Sequence, residues 1–282
     1  MAVSVSMPTH VHARTSRLLG GDAETDARGT SELERPDVSF VIPAYNEAVN
    51  MAAVLDTIPH AALGSRSLFA EVIVVDNNCT DDTASIAREN GARVIAQPLR
   101  GYGNAYSAGI TAARGQIVIT GDADCTYPFD AAPELLAHLE DADLDFLSTY
   151  RLGAENRAAM KPSHAVGNHM LTFASRTLFR APFRDSQSGM WIFKRRIWDL
   201  LDVRSAGMPF SQEIKNEAFV KGFRCGEVPI EYRMRGGEVK LNAARDGIRN
   251  ATQLLSHRAR LVSETVGFSG ASRRTEIAED LA

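Results

Sequence analysis

Asp122 and Asp124 lie two residues apart and follow directly on the apolar run Ile117-Val-Ile-Thr-Gly121. Carboxylates at such a strand exit can hold a hard divalent cation, whose remaining positions go to phosphate oxygens and water. An ion held there neutralises charge building on a departing diphosphate. Acidic pairs are also common as solvated loop residues, so the weight of this one comes from its position. Asp76 closes a second apolar run, Glu71-Val-Ile-Val-Val-Asp76. There it either accepts hydrogen bonds from a ribose or base or caps the following helix. Pro43-Ala-Tyr-Asn-Glu47 ends a third run. It either positions a base, with Tyr45 stacking and Glu47 hydrogen-bonding, or forms an ordinary strand-to-helix turn.

Asp185 lies in the polar turn Asp185-Ser-Gln-Ser-Gly189. A carboxylate there can take a proton from an acceptor or orient it, or simply close an Asx-turn. Arg151, Arg233, Arg235, Lys240 and Arg245 supply cations. The stretch Arg233-Met-Arg-Gly-Gly-Glu-Val-Lys240 reads either as a glycine-hinged loop that clamps phosphates or as a solvated charge run. Gly101-Tyr-Gly-Asn-Ala-Tyr-Ser-Ala-Gly109 is not a dinucleotide fingerprint, because its third glycine is misplaced. Its first two glycines fit a tight loop before a helix. The seven histidines show no metal-binding spacing.

The elements that must position these groups are legible as β-rich runs at 38–43, 71–76, 92–96 and 116–120. Helical stretches at 48–57, 80–90 and 103–113 separate them. Near-continuous Val/Ile runs suit buried parallel strands, and the alternation with helices gives βαβ units. Such sheets bind ligands at the carboxyl ends of their strands, where Asp76, Asp122 and the Pro43–Glu47 segment all fall. After Asp130 the pattern predicts a helix at 131–142, strands at 144–149 and 190–193, and a helix at 243–262. On that last helix Ile248, Ala251, Leu255 and Val262 share one side, and Arg245, Arg249, Arg258 and Arg260 supply cations. It either lies at an anionic membrane surface or packs on the core with a basic outer face. Residues 1–36 and 263–282, polar and without period, read as a flexible leader and tail around one α/β domain.

The chain has 282 residues, 44% of them hydrophobic, enough to bury a full core. A net charge of −4 gives no support to wholesale nucleic-acid binding. No run of about 18 apolar residues occurs, nor a secretory signal core. Three widely spaced cysteines without a CxxC pair read as reduced thiols in a cytoplasmic setting.

In this order, six motifs carry a resemblance. They are Val41-Ile-Pro-Ala-Tyr-Asn-Glu47, Val74-Val-Asp-Asn-Asn-Cys-Thr-Asp-Asp-Thr83, Gly121-Asp-Ala-Asp-Cys-Thr-Tyr-Pro128, Asp185-Ser-Gln-Ser-Gly189, Phe210-Ser-Gln-Glu213, and Gly237-Glu-Val-Lys-Leu-Asn242 with Arg245-Asp-Gly247. Over about residues 37–258 the chain resembles glycosyltransferase family 2, of GT-A fold, and within it the dolichol- and polyprenyl-phosphate sugar synthases. The resemblance implies a Rossmann-like, mostly parallel sheet flanked by helices. It implies an inverting, metal-dependent transfer of a hexose from a UDP- or GDP-sugar to polyprenyl or dolichyl phosphate. The alternative is the same chemistry on a soluble hydroxyl acceptor. Pro43, Tyr45, Glu47 and Asp76 would hold the nucleoside, and Asp122, Ala123 and Asp124 the diphosphate through Mg2+ or Mn2+. Asp185 would be the catalytic aspartate, Arg151 would contact the acceptor phosphate, and Arg235 with Lys240 would cover the donor phosphates, with Arg233 the competing match. An enzyme of this kind would be cytoplasmic, with a peripheral contact at the inner face of the membrane as one reading. Cys125-Thr126 replaces a longer polar side chain found in relatives, and Trp191 stands where an arginine often follows the Ser-Gly pair, which bears on acceptor recognition.

Overall fold

The computed structural model describes residues 35–156, 158–160, 162–236 and 243–279. The leader before residue 35, Lys240 and the side chain of Arg245 lie outside the described residues. The described part falls in a single compact unit that begins at Arg35.

The sheet grows outward from β1 (Val38–Ala44), which pairs in parallel with β2 (Ala70–Asp76) on one side and β4 (Ile117–Thr120) on the other. β3 (Arg93–Ala96) extends it beyond β2, again in parallel. β6 (Trp191–Lys194) runs antiparallel between β4 and β5 (Phe146–Tyr150), and β7 (Cys225–Pro229) adds to β5 in parallel. The strand order is β3-β2-β1-β4-β6-β5-β7. Alternate residues of β1 enter different cores: Phe40 and Ile42 pack on one face, Val41 on the other. Burial on both faces is why β1 is apolar at nearly every position. Register then fixes the functional edge. Ala44 lies opposite Asp76, so β1 and β2 end together, whereas β4 ends earlier, with Thr120 opposite Val41, and the segment after it runs on beside the end of β1. The neighbours of β1 depart to opposite sides, and the crevice at that switch point is where such sheets bind ligands.

Helices α1 (Ala48–Asp56), α2 (His60–Ser65), α3 (Thr83–Glu89), α4 (Tyr102–Ala112) and α5 (Ala132–Asp141) connect the first half. The expected capping start at Thr80 is displaced: α3 begins at Thr83. Asp81 is tied to Thr83 at 2.5 Å and also accepts the Ala48 amide at 3.2 Å, bracing α1 against α3. The second half contains elements the periodicity missed, α2 aside: α6 (Pro162–Phe179), α7 (Phe210–Val220) and β7.

Helix α8 (Ala243–Glu279) continues past Val262, where the sequence pattern ended it. No proline interrupts residues 263–279, so nothing forces a stop. It packs through Asn250, Leu254 and His257, which are buried, while Ile248, Leu255 and Val262 face solvent. The helix thus packs on the core through residues other than the expected stripe, which faces outward. Among the described residues no helix is long and apolar enough to cross a membrane.

Candidate active site

Three loops leave this edge of the sheet after β1, β2 and β4, and each turns on a residue in the left-handed region: Asn46 (φ 53°), Asn78 (φ 64°) and Cys125 (φ 66°). Asparagine tolerates that conformation better than most residues, whereas a non-glycine such as Cys125 is uncommon there. Strained backbone of this kind clusters at functional sites. Asn77 fixes the loop after β3. Its Nδ2 donates to the carbonyls of Gln97 (3.2 Å) and Leu99 (2.9 Å), and its Oδ1 accepts the Gly101 amide at 2.8 Å. That places the Arg100 guanidinium 4.0 Å from the centre of the Tyr45 ring. Gly101 (φ 148°) and Gly103 approach the 205–206 backbone so closely that a Cβ would sit 2.2 Å and 1.9 Å from carbonyl oxygens. The tight loop read from these glycines is thus present.

The acidic pair lies beyond β4. Asp124 is buried and fully engaged: Oδ1 accepts from Thr126 at 2.5 Å, and Oδ2 pairs with Arg235 at 2.8 Å. Asp122 Oδ1 accepts from the Tyr106 hydroxyl at 2.9 Å. Burial, then the like charge of Asp124, push the Asp122 carboxyl up to about 7, against the Tyr106 hydrogen bond and the Arg151 and Arg235 charges. Two clustered acids at a strand end fit a hard dication completed by phosphate oxygens. Among the described residues no group of three His, Cys, Asp or Glu side chains could hold a metal unaided. Thr126, at the departure noted above, serves Asp124 as a hydrogen-bond donor.

On the acceptor side Asp185 is 0% exposed. Arg151 grips it with both ends of the guanidinium, Nε to Oδ2 at 2.8 Å and Nη2 to Oδ1 at 3.0 Å. Burial alone would raise the Asp185 pKa, but the charge and hydrogen bonds of Arg151, with Lys215, hold it below the ordinary carboxylate range. Lys215, itself lowered to about 8 by burial, donates to the Asp185 carbonyl at 2.5 Å. Tyr127 ties the two halves. Its hydroxyl accepts from Arg151 at 3.3 Å and from the Gly189 amide at 2.6 Å. A Cβ at Gly189 would meet the Tyr102 hydroxyl at 2.3 Å, so this position needs glycine.

One cleft of about 400 Å³ is lined by Pro43, Tyr45, Glu47 and Asp122, and by Ala123, Asp124, Arg151 and Arg235. Two expected residues stand apart from it. Asp76 is not among the lining residues, and its Oδ1 accepts the Cys79 amide at 2.8 Å within the loop rather than capping α3, which starts at Thr83. Asp185 sits behind Arg151 and presents no carboxylate to the cleft. Arg235 rather than Arg233 reaches the site, since Arg233 points outward to Asp130 at 2.8 Å. Trp191 is buried in the core, where its Nε1 donates to Ser188, and so does not face an acceptor. Asn77, Arg100, Tyr102 and Tyr127 also line the cleft. Tyr102 and Tyr127 lay inside quoted motifs but carried no charge to single them out.

A family model for glycosyl transferase family 2 matches residues 39–201. The low-salt glycan biosynthesis hexosyltransferase Agl6 of Haloferax volcanii is 37% identical over 235 residues, which is 83% of this chain and 56% of that protein. The chain thus spans little more than half of that relative. The dolichyl-phosphate hexose transferase of the same organism is 34% identical over 209 residues, 73% of this chain and 87% of that protein. A glucosyl-3-phosphoglycerate synthase from Mycobacterium tuberculosis, crystallised with Mn2+, uridine diphosphate and phosphoglyceric acid, shares the fold at a TM-score of 0.63. It is 22% identical and covers 80% of each chain. A strand-end acidic pair, an arginine-braced cleft and these matches agree: the chain belongs to glycosyltransferase family 2 and is a glycosyltransferase of GT-A fold.

Proposed function

We propose that the enzyme moves a hexose, with inversion, from a UDP- or GDP-sugar to polyprenyl or dolichyl phosphate, with Mg2+ or Mn2+ at Asp122 and Asp124. The observation that carries the acceptor assignment is the closure of Asp185 under Arg151. A hydroxyl acceptor needs a base within hydrogen-bond reach, and the one carboxylate expected to serve is sealed from the cleft. A phosphate acceptor is already an anionic nucleophile and needs a cation to hold it, which is what Arg151 offers. The dolichyl-phosphate hexose transferase among the relatives supports the same reading.

Each wall of the cleft has its task. Tyr45 and Arg100 offer flat faces to a nucleobase, and Pro43 and Glu47 shape the pocket beneath them. Arg235, beside Asp124, supplies positive charge next to the diphosphate. The bound metal ion supplies Lewis-acid stabilisation of the leaving diphosphate. Arg151, held rigid by Asp185, orients the acceptor phosphate toward the sugar, which cuts the entropic part of the barrier. Lys240 completes the donor-phosphate contacts in this proposal. The solvent-facing Ile248, Ala251, Leu255 and Val262 of α8, with exposed Arg258, support a peripheral contact at the cytoplasmic face of a membrane.

The donor half is tested by thermal shift with UDP- and GDP-sugars and Mn2+. At a hundred times Kd, ligand linkage adds about 2.7 kcal/mol, a rise of roughly 5–10 °C for a domain of this size. The rise should vanish with EDTA. No metal-dependent shift with any nucleotide sugar would sink the proposal.

A further inference from the structure

The polar turn at 185–189 joins the two ends of the cleft. At one end Asp185 holds Arg151, and its Oδ1 also accepts the Gln187 amide at 3.1 Å. At the other, a Cβ on Gly189 would lie 3.6 Å from Asp122 Oδ1. A hexose between a diphosphate at Asp122 and an acceptor at Arg151 must lie along this turn. Ser186 and Ser188 are buried and paired elsewhere, with Thr172 at 3.1 Å and Thr149 at 2.7 Å. Of the side chains in the turn, Gln187 alone lines the cleft.

The two ends of its amide are not interchangeable. The Asn250 carbonyl of α8 can only accept a hydrogen bond, so the Gln212 nitrogen must face it, at 2.8 Å. The second hydrogen of that nitrogen goes to Gln253 Oε1, also at 2.8 Å. Gln212 therefore presents its oxygen to Gln187, whose Nε2 donates to it at 3.0 Å and to Ser186 Oγ at 2.9 Å. Gln212 is fully buried, so no water competes for these bonds. A backbone carbonyl thus sets a chain of amides that turns the Gln187 nitrogen inward. The Gln187 Oε1 has no partner among the described residues and stays accessible.

A free carbonyl oxygen repels phosphate oxygens and seeks a hydrogen. In a nucleotide sugar the hydrogens beside the diphosphate belong to the hydroxyls of the hexose. We propose that Gln187 reads the hexose: its Oε1 accepts a hydrogen bond from one sugar hydroxyl, and Gln212, anchored by α8, holds it in the orientation that does so. The assignment rests on the nucleotide-sugar reading above and adds how one hexose is told from its epimers. A site built to pair a substrate hydroxyl discriminates against the sugar lacking it, because the waiting polar group is left unpaired.

The test uses calorimetric affinities in Mn2+ for UDP- and GDP-hexoses and for their deoxy and epimeric counterparts at C2, C3 and C4. The full-length enzyme is compared with Gln187→Leu and Gln187→Ala. Both variants remove the oxygen but differ in bulk, so an effect common to both belongs to the hydrogen bond and not to packing. For the unsubstituted enzyme, removing or inverting one hydroxyl should raise Kd about tenfold. Both variants should shrink that preference to within about twofold at that hydroxyl alone, with affinities for the free nucleoside diphosphate and for Mn2+ unchanged. Three results would overturn the assignment and leave the donor reading in place. They are equal binding of every deoxy sugar by the unsubstituted enzyme, a preference that survives in both variants, and weaker Mn2+ or nucleoside diphosphate binding in both variants, which would give the residue to the metal or to the fold. Failure of the unsubstituted enzyme to bind any nucleotide sugar would remove the donor reading itself, and this assignment with it.

Discussion

Asp124→Asn should lower sugar transfer about a thousandfold and leave the fold intact. The substitution keeps the shape and the Thr126 hydrogen bond but removes one of two formal charges available to the cation. Lewis-acid stabilisation of a leaving diphosphate is worth several kcal/mol, and each 1.36 kcal/mol is a factor of ten in rate. Arg235 loses its carboxylate partner but stays only partly buried, so the stability cost should be about 1 kcal/mol. Steady-state transfer assays with Mn2+ varied, beside urea unfolding, check both statements. Near-full activity in this variant would show that the strand-end pair does not hold the metal.

Asp185→Asn should act through Arg151. The pair is buried on both sides, and weakening one partner of such a pair costs up to about 3–5 kcal/mol. The released guanidinium then holds the acceptor phosphate poorly, and a misplacement near 1 Å can cost about a hundredfold in rate. The loss should appear in kcat/KM for the acceptor, with the donor KM unchanged, and should be the same from pH 7 to pH 9. A missing general base behaves differently, because its loss is offset as the acceptor ionises. Stability carries a second signature. Asp185 is held below the ordinary carboxylate range when folded, so its contribution is complete above the unfolded pKa of about 3.9. It is lost as pH falls below that value. Urea unfolding between pH 5 and pH 2.5 should show that acid-side loss in the parent enzyme and a shallower one in the variant.

The contrast between the two aspartates explains what the sequence could reveal. Asp122 and Asp124 were legible because a strand buried on both faces must be apolar throughout, so its end is marked by the first acids. β1 and β2 followed from the same constraint, while the half-exposed β3 gave a weaker run. Helix α7 escaped because it is buried through polar pairing. Glu217 meets His257 at 2.7 Å, Glu213 meets Arg260 at 3.1 Å, and Gln212 Nε2 donates to the Asn250 carbonyl at 2.8 Å. Hydrophobic periodicity cannot register a face satisfied by ions and amides. Helices α6 and α8 misled for the opposite reason, since each turns an apolar row toward solvent. The enclosure of Asp185 was illegible because its partner lies 34 residues away on a different element. Asp76 shows the remaining limit: the Cys79 amide bonds its Oδ1, a turn contact that the local sequence did not announce.

The central claim joins a nucleotide-sugar cleft to a phosphate acceptor at Arg151. Its most direct test is hexose transfer in Mn2+ from UDP- and GDP-sugars to detergent-dispersed polyprenyl phosphate, side by side with soluble hydroxyl acceptors. The account predicts an EDTA-sensitive glycosyl phospholipid from one of the donors and no product on the hydroxyl compounds. Metal-dependent glycosylation of a hydroxyl acceptor, with polyprenyl phosphate left untouched, would contradict it.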